Sequence, residues 1–366
     1  MRPKYQLLYI SILTIVMLGL IDLGMGLMFG TEKFQPQNSK IDKYFGYGIS
    51  VKRKLDILIG NDDKEAKSIS KAGWVDGLPA REVNDLNCKR KVTFYGMSFS
   101  NRIADRLVEL DPCMAVRKVD GPGAPLSHSY YAFKKLGAID DSEIVVLSVL
   151  ASTLPKLATV AQLNSAFEYP SAHFYPRYYL EEGLLTSSGV PVESLSRFRE
   201  IIRDDQSLDK LTQFMEAHDS FYDPWVFGNS WADKSYVLRM LRRSYAGNHI
   251  RAVRKNYFTQ GSFNNYDQLI DISRALVMGF SQHAKNLNRK VVVILIEDGG
   301  YYQALSDVFS PLIESQEIDV FNSNQYIDSR DKNNFIYDGH FTRENDELLA
   351  KALLEKIRGF QLTSAN

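Results

Sequence analysis

Lys91-Val92-Thr93-Phe94-Tyr95-Gly96-Met97-Ser98-Phe99-Ser100 is a short apolar run that stops at a glycine and passes straight into a serine. The run predicts a buried strand, and Gly96 predicts the tight turn that ends it. Phe99, Ile103, Leu107 and Leu110 then recur at helical spacing. A strand that turns directly into a helix leaves Ser98 at the edge of a sheet, in the first turn of that helix. The same alternation continues outward. Met114–Val119 reads as a second strand, closed by Gly121-Pro122-Gly123, and Ser127–Leu136 as a helix. Ile144–Leu150 and Val291–Ile296 are continuous apolar runs that suit central strands, with Ile318–Phe321 as a fifth. Asn345–Ile357 closes the chain as an amphipathic helix. Strands alternating with helices predict an α/β domain with a parallel sheet of about five strands covered on both faces.

Two regions lie outside this pattern. The stretch between the third and fourth strands is far longer than a crossover needs. It holds a Tyr/Pro/His segment, charged helical segments, a Trp/Tyr-rich stretch and a basic run from Arg239 to Lys255. Residues 154–263 are therefore expected to form a helical insertion over the carboxyl edge of the sheet, the edge where open α/β sheets bind ligands. At the other end, residues 6–30 are apolar except for Asp22 and a few small polar groups, long enough to cross a bilayer as a helix. Arg2 and Lys4 precede them, which puts the N-terminus in the cytoplasm and the remainder outside. No small-residue cleavage site follows the run, which disfavours a signal peptide. Asp22 would cost roughly 2.5–3.5 kcal/mol at the bilayer centre, but it lies towards the outer end, where it can reach the interface. Residues 31–90 then form a membrane-proximal segment, and 91–358 the α/β domain.

About 240 residues after Ser98 comes Tyr337-Asp338-Gly339-His340-Phe341-Thr342. It puts a carboxylate and an imidazole two residues apart, just before a helix for which Thr342 is a suitable N-cap. Ser98, His340 and Asp338 together supply the hydroxyl, base and base-orienter that a serine nucleophile requires. The Ser98 N–H at a helix start, with a donor from Gly121 or Gly123 on the neighbouring strand, could stabilise an oxyanion.

Gly96-Met97-Ser98-Phe99-Ser100 resembles the Gly-Asp-Ser-x-Ser block of the SGNH (GDSL-type) hydrolases. Asp338-Gly339-His340 followed by a helix resembles that family's C-terminal block, in the family's order. The resemblance covers about 91–155 and 290–358. It implies a flavodoxin-like three-layer α/β/α fold that hydrolyses or transfers acyl esters. In that reading Ser98 is nucleophile, His340 base and Asp338 orienter, and Gly121 or Gly123 matches the second-block glycine. The chain departs from the family at three places. Met97 stands where the first block carries Asp, Ser152 stands where the third block carries an oxyanion-binding Asn, and Asp338 and His340 are two residues apart where three is the family's commonest interval, although some members use the shorter one.

Lys+Arg and Asp+Glu balance at 44 each, so no global field argues for nucleic acid. His128 could reach the site, although a surface or capping role is the blander expectation. The remaining histidines show no metal-ligand spacing, and no metal or cofactor is expected. The basic run from Arg239 to Lys255 reads most simply as a solvated helix face. Cys88 and Cys113 each precede a strand. If those strands are parallel neighbours their starts lie about 5 Å apart, the separation a disulfide bridge needs. Together these expectations describe a membrane-tethered extracytoplasmic esterase or O-acyltransferase, with an acyl group on an envelope or exported polysaccharide as substrate. Partners in polysaccharide assembly would accompany it. The alternative is a catalytically silent binding or assembly protein on the same fold.

Overall fold

The computed structural model describes residues 3–29, 46–84 and 90–362. At its centre are five strands: β1 (Arg90–Gly96), β2 (Met114–Asp120), β3 (Ile144–Leu150), β4 (Lys290–Ile296) and β5 (Val320–Asn322). Their order is β2-β1-β3-β4-β5, and every pairing is parallel. Val92 lies opposite both Val116 and Ile144, which places β1 between β2 and β3. All seven residues of β3 are buried, as its unbroken apolar sequence requires of a strand covered on both faces.

The longer helices are α1 (Pro3–Phe29), α2 (Val51–Ile59), α3 (Ser98–Leu110), α4 (Leu126–Leu136), α5 (Leu195–Arg203), α6 (Asp205–His218), α7 (Tyr236–Tyr257), α8 (Leu269–Asn286), α9 (Ala304–Glu314) and α10 (Arg343–Leu362). On one face of the sheet, Val145, Leu147, Val293 and Leu295 pack against Phe133 of α4, Phe280 of α8 and Phe309 of α9. On the other, Phe94, Val146 and Ile294 pack against Ile103 and Leu107 of α3 and Leu353 and Ile357 of α10. The sheet is thus sandwiched between two helical layers.

The N-terminal helix is long and apolar enough to span a membrane, with a mean hydropathy of 2.2 over Tyr5–Met28. Its apolar side chains, such as Leu7 and Ile15, are exposed. α2 begins at Val51 because the Ser50 hydroxyl accepts from the Arg53 N–H. The scattered apolar residues of 40–59 predict one helix, but residues 47–50 are a turn that leads into this cap, and 40–45 lie outside the described residues. Val51, Leu55 and Ile59 of α2 share a core with Phe174, Phe198 and Leu211, so α2 packs into the insertion. Glu82 forms an antiparallel bridge with Val116 on the free edge of β2.

The insertion is not wholly helical. It contains two small hairpins, Tyr178–Glu181 with Leu184–Ser187 and Phe258–Thr259 with Ser262–Phe263. The basic run on α7 also departs from the expected solvated face, because Arg239 and Arg242 are buried. They point inward at the preceding turn, where Arg239 Nε donates to the Asp233 carbonyl at 2.6 Å and Arg242 pairs with the Asp233 carboxylate. A charge repeat read without its carboxylate partner looks like a surface.

Candidate active site

Each strand of the sheet ends at the same edge, and the candidate residues sit on the segments that leave it. β1 is flanked by β2 on one side and β3 on the other, so the chain reverses direction across the sheet there. Such a switch point opens a crevice at the carboxyl ends of the strands. Ser98 leaves β1, Gly121 and Gly123 leave β2, Ser152 leaves β3, and Asp298 leaves β4.

Ser98 is the first residue of α3. Met97 before it is fully buried, and its N–H donates to Ser100 Oγ at 3.0 Å while Ser100 Oγ donates back to the Met97 carbonyl at 2.7 Å. This reciprocal cap pins the turn. Ser100 is thus a capping residue, and Met97 is an apolar plug. Ser98 Oγ lies 2.7 Å from His340 Nε2, and His340 Nδ1 lies 3.0 Å from Asp338 Oδ1. The structure therefore brings Ser98, His340 and Asp338, distant in sequence, into one hydrogen-bonded line.

The loop that carries the last two residues is held from both sides. Gly339 adopts φ +88°, a left-handed conformation that favours glycine. Its N–H donates to the Ile336 carbonyl at 2.9 Å, and the Ile336 N–H donates to the His340 carbonyl at 2.8 Å. This tight turn sets Asp338 beside the His340 ring. From α3, Phe99 lies against that ring with centroids 4.6 Å apart. Arg102, one helical turn after Ser98, donates to the Phe341 carbonyl at 3.0 Å and to Asp346 Oδ2 at 2.6 Å. One helix thus carries the serine and also clamps the loop of its partner. Burial acts to raise the Asp338 carboxyl, but the N–H and ring donors of His340 outweigh it and hold Asp338 below the ordinary carboxylate range.

The remaining expected residues are arranged differently. Gly121 packs against His173: a Cβ placed there would stand 3.0 Å from His173 Nε2. Gly123 has φ +56°, and its carbonyl accepts from Lys156 Nζ at 3.0 Å. The Ser152 N–H donates to Asp298 Oδ1 at 3.0 Å. Among the described residues no hydrogen bond links Ser98 to any of these three. His128 is buried rather than on the surface, with Nε2 2.7 Å from the Gly73 carbonyl. Its ring and that of His173 lie 5.2 Å apart, and burial lowers both below the ordinary histidine range. They form the floor behind the glycine loop.

Two side chains at this edge had no sequence signal. Lys156 is buried, and burial, reinforced by Arg254 and opposed by Asp298, pushes its ammonium down to about 8. Burial raises the Asp298 carboxyl, opposed chiefly by its hydrogen bonds with Ser152. Beside His340 opens a cleft of about 610 Å³ lined by Asp298, Gly300, Arg330, Phe335, Tyr337 and Gly339. Tyr337 is fully exposed at its rim, and the Arg330 guanidinium stands 4.1 Å over the Tyr302 ring.

Cys88 lies outside the described residues, so its pairing with Cys113 has no structural account. The strands that follow the two cysteines are parallel neighbours, with Arg90 opposite Met114. Among the described residues, no three His, Cys, Asp or Glu side chains are grouped as metal ligands would be. No protein-family model matches the chain. No curated protein is significantly similar to it.

Proposed function

We propose that this protein is a membrane-anchored, extracytoplasmic serine esterase or O-acyltransferase of the SGNH type. The acyl group, acetyl in the first instance, would sit on an envelope or exported polysaccharide. The single observation that carries the reading is the Ser98–His340–Asp338 line, with heavy-atom separations of 2.7 and 3.0 Å. The strand order is that of flavodoxin-like sheets and supports the family reading. The apolar N-terminal helix supports an anchor, with Arg2 and Lys4 on the cytoplasmic side. The exposed Tyr337 ring beside the cleft suits stacking against a sugar.

In this mechanism His340 Nδ1–H donates to Asp338, leaving Nε2 to accept the Ser98 proton. Ser98 Oγ then bonds to the acyl carbonyl carbon, and the carbonyl π pair moves onto oxygen. When the tetrahedral intermediate collapses, the C–O bond to the first sugar breaks and the His340 imidazolium protonates the departing oxygen. An acyl-serine remains. Water or a sugar hydroxyl, deprotonated by His340, attacks it, and Ser98 recovers its proton. The nature of the second nucleophile separates hydrolysis from transfer. The Ser98 N–H at the start of α3 is the first oxyanion donor, with the 121–123 loop as the source of the second.

One observation favours the rival reading, a binding or assembly protein with a silent site. The Ser152 N–H is already engaged by Asp298, so the third-strand donor is occupied. Labelling decides between them. The full chain, treated with a fluorophosphonate and analysed by intact mass, is expected to gain one adduct that Ser98→Ala and His340→Ala both lose. A folded wild-type protein that takes no adduct would establish the binding reading instead.

A further inference from the structure

α1 meets the rest of the chain through a specific polar contact. Asp22 Oδ1 accepts from Ser235 Oγ at 3.0 Å and from the Val237 N–H at 2.9 Å. Val237 is the second residue of α7, so this N–H has no partner within its own helix. Asp22 therefore caps α7 from another helix, and its negative charge faces the positive end of the α7 dipole. One turn further on, the Tyr236 ring lies against Gly26, where a Cβ would stand 3.9 Å from Cε2. The acid in the apolar helix is thus a docking residue for the globular body.

This contact sets a height. From Tyr5, where the apolar span begins, to Asp22 is about eighteen residues, or roughly 27 Å of helix, close to the thickness of a bilayer's hydrocarbon core. Asp22, and the α7 terminus bound to it, then stand where hydrocarbon gives way to headgroups. The turn immediately before this terminus is the 3₁₀ segment Trp231–Lys234. Four residues of 3₁₀ helix rise only about 8 Å, so Trp231 stays near the level of Ser235. Trp231 is 76% exposed, which no packing requirement explains, and Lys234 is exposed as well. Side chains three apart eclipse in a 3₁₀ turn, so the indole and the ammonium share one side. An exposed Trp–Lys pair beside the outer end of a spanning helix has the composition of an interfacial belt.

We propose that the Trp231–Lys234 turn is a second membrane contact. The Trp231 indole enters the outer headgroup region of the bilayer that α1 crosses, and Lys234 meets lipid phosphates there. Asp22 fixes the depth. The body is clamped to the membrane surface at two points instead of hanging from one tether. The inference rests on α1 crossing a bilayer and is independent of the chemistry at Ser98.

The chain has three tryptophans, so Trp74→Phe with Trp225→Phe leaves Trp231 as the sole indole. The full-length protein is reconstituted into phosphatidylcholine–phosphatidylglycerol vesicles carrying lipids brominated near the headgroup or deep in the chains. Flotation first establishes insertion. Shallow bromines are expected to quench Trp231 several-fold more than deep ones, with aqueous iodide ineffective. Asp22→Ala should cut that lipid quenching by half or more. Trp231→Phe in the otherwise wild-type chain provides the same readout by difference, should the double variant fold poorly. Floating protein whose Trp231 is quenched by iodide and by no brominated lipid overturns the proposal in favour of a solvent-facing or protein-binding turn. Protein that does not float overturns it together with the anchor.

Discussion

Asp338 Oδ1 receives two donors from one residue, the His340 ring at 3.0 Å and the His340 N–H at 3.2 Å. The pair fixes the ring tautomer, so that Nε2 faces Ser98 as an acceptor. Asp338→Asn keeps the shape but removes the charge that supports an imidazolium. Its fluorophosphonate labelling rate is expected to fall roughly 10²- to 10⁴-fold. Because Asp338 lies on an exposed loop, unfolding stability should change by less than about 0.5 kcal/mol. Unchanged labelling with a lowered Tm would remove Asp338 from the site. These residues were legible because each follows sharp punctuation: Gly96 before Ser98, and Gly339 between Asp338 and His340. Lys156 and Asp298 were not, because nothing in their local sequence sets them apart. Their contacts, to Gly123 and Ser152, cross between the exits of different strands.

At the scale of elements, the exit of β4 illustrates how a helix start is secured. Glu297 follows the strand, and its carboxylate accepts from the Ser306 N–H at 2.8 Å, Ser306 Oγ at 2.9 Å and the Leu305 N–H at 3.3 Å, all in the first turn of α9. Burial nevertheless pushes its pKa from 4.5 up to about 7. Between these two values the folded state holds a proton that the unfolded state has released. Stability contributed by the protonated group is therefore complete below pH 4.5 and lost as pH rises through about 7. Glu297→Gln removes the titration. Wild type is expected to lose stability between pH 5 and 8 in urea unfolding, and the variant to lose measurably less. Identical slopes would place the titration elsewhere. The elements themselves were largely legible, with β3 and α4 close to their expected bounds. The fifth strand moved to Val320–Asn322, because its limits follow from pairing with β4, as in Ile294 opposite Phe321.

Across the whole molecule, the sheet is held at the edge opposite the site by Asp140. Its fully buried carboxylate pairs with Arg117 at 2.7 Å and Arg81 at 3.1 Å, and stands 3.6 Å from Arg289. Tyr95 Oη donates to it at 3.0 Å and Thr93 Oγ1 at 3.2 Å. These partners come from β1, β2, the segment beside β2 and the approach to β4. Asp140→Ala takes the carboxylate from Arg289, leaves Arg81 and Arg117 with the Asp141 carboxylate alone, and should cost about 3 kcal/mol in urea unfolding. A loss under about 1 kcal/mol would show that water replaces the carboxylate at little cost. No local pattern marks Asp140 as a hub, since these five partners are scattered from Arg81 to Arg289.

The amino-acid sequence by itself determined the alternation of strand and helix, the parallel sheet, the apolar N-terminal helix and the three residues of the candidate triad. Each is written in short-range terms, as periodicity, glycine punctuation or an unbroken apolar run. Only the tertiary structure decided which charges are buried, as at Arg242, Lys156 and Asp140, and which segments share a core, as α2 does with the insertion. It also turned Asp22 from an anomaly of an apolar helix into the cap of α7. These depend on contacts between residues far apart in the chain. The energy of a charge is set by the partner that folding brings to it, and no local pattern records that partner.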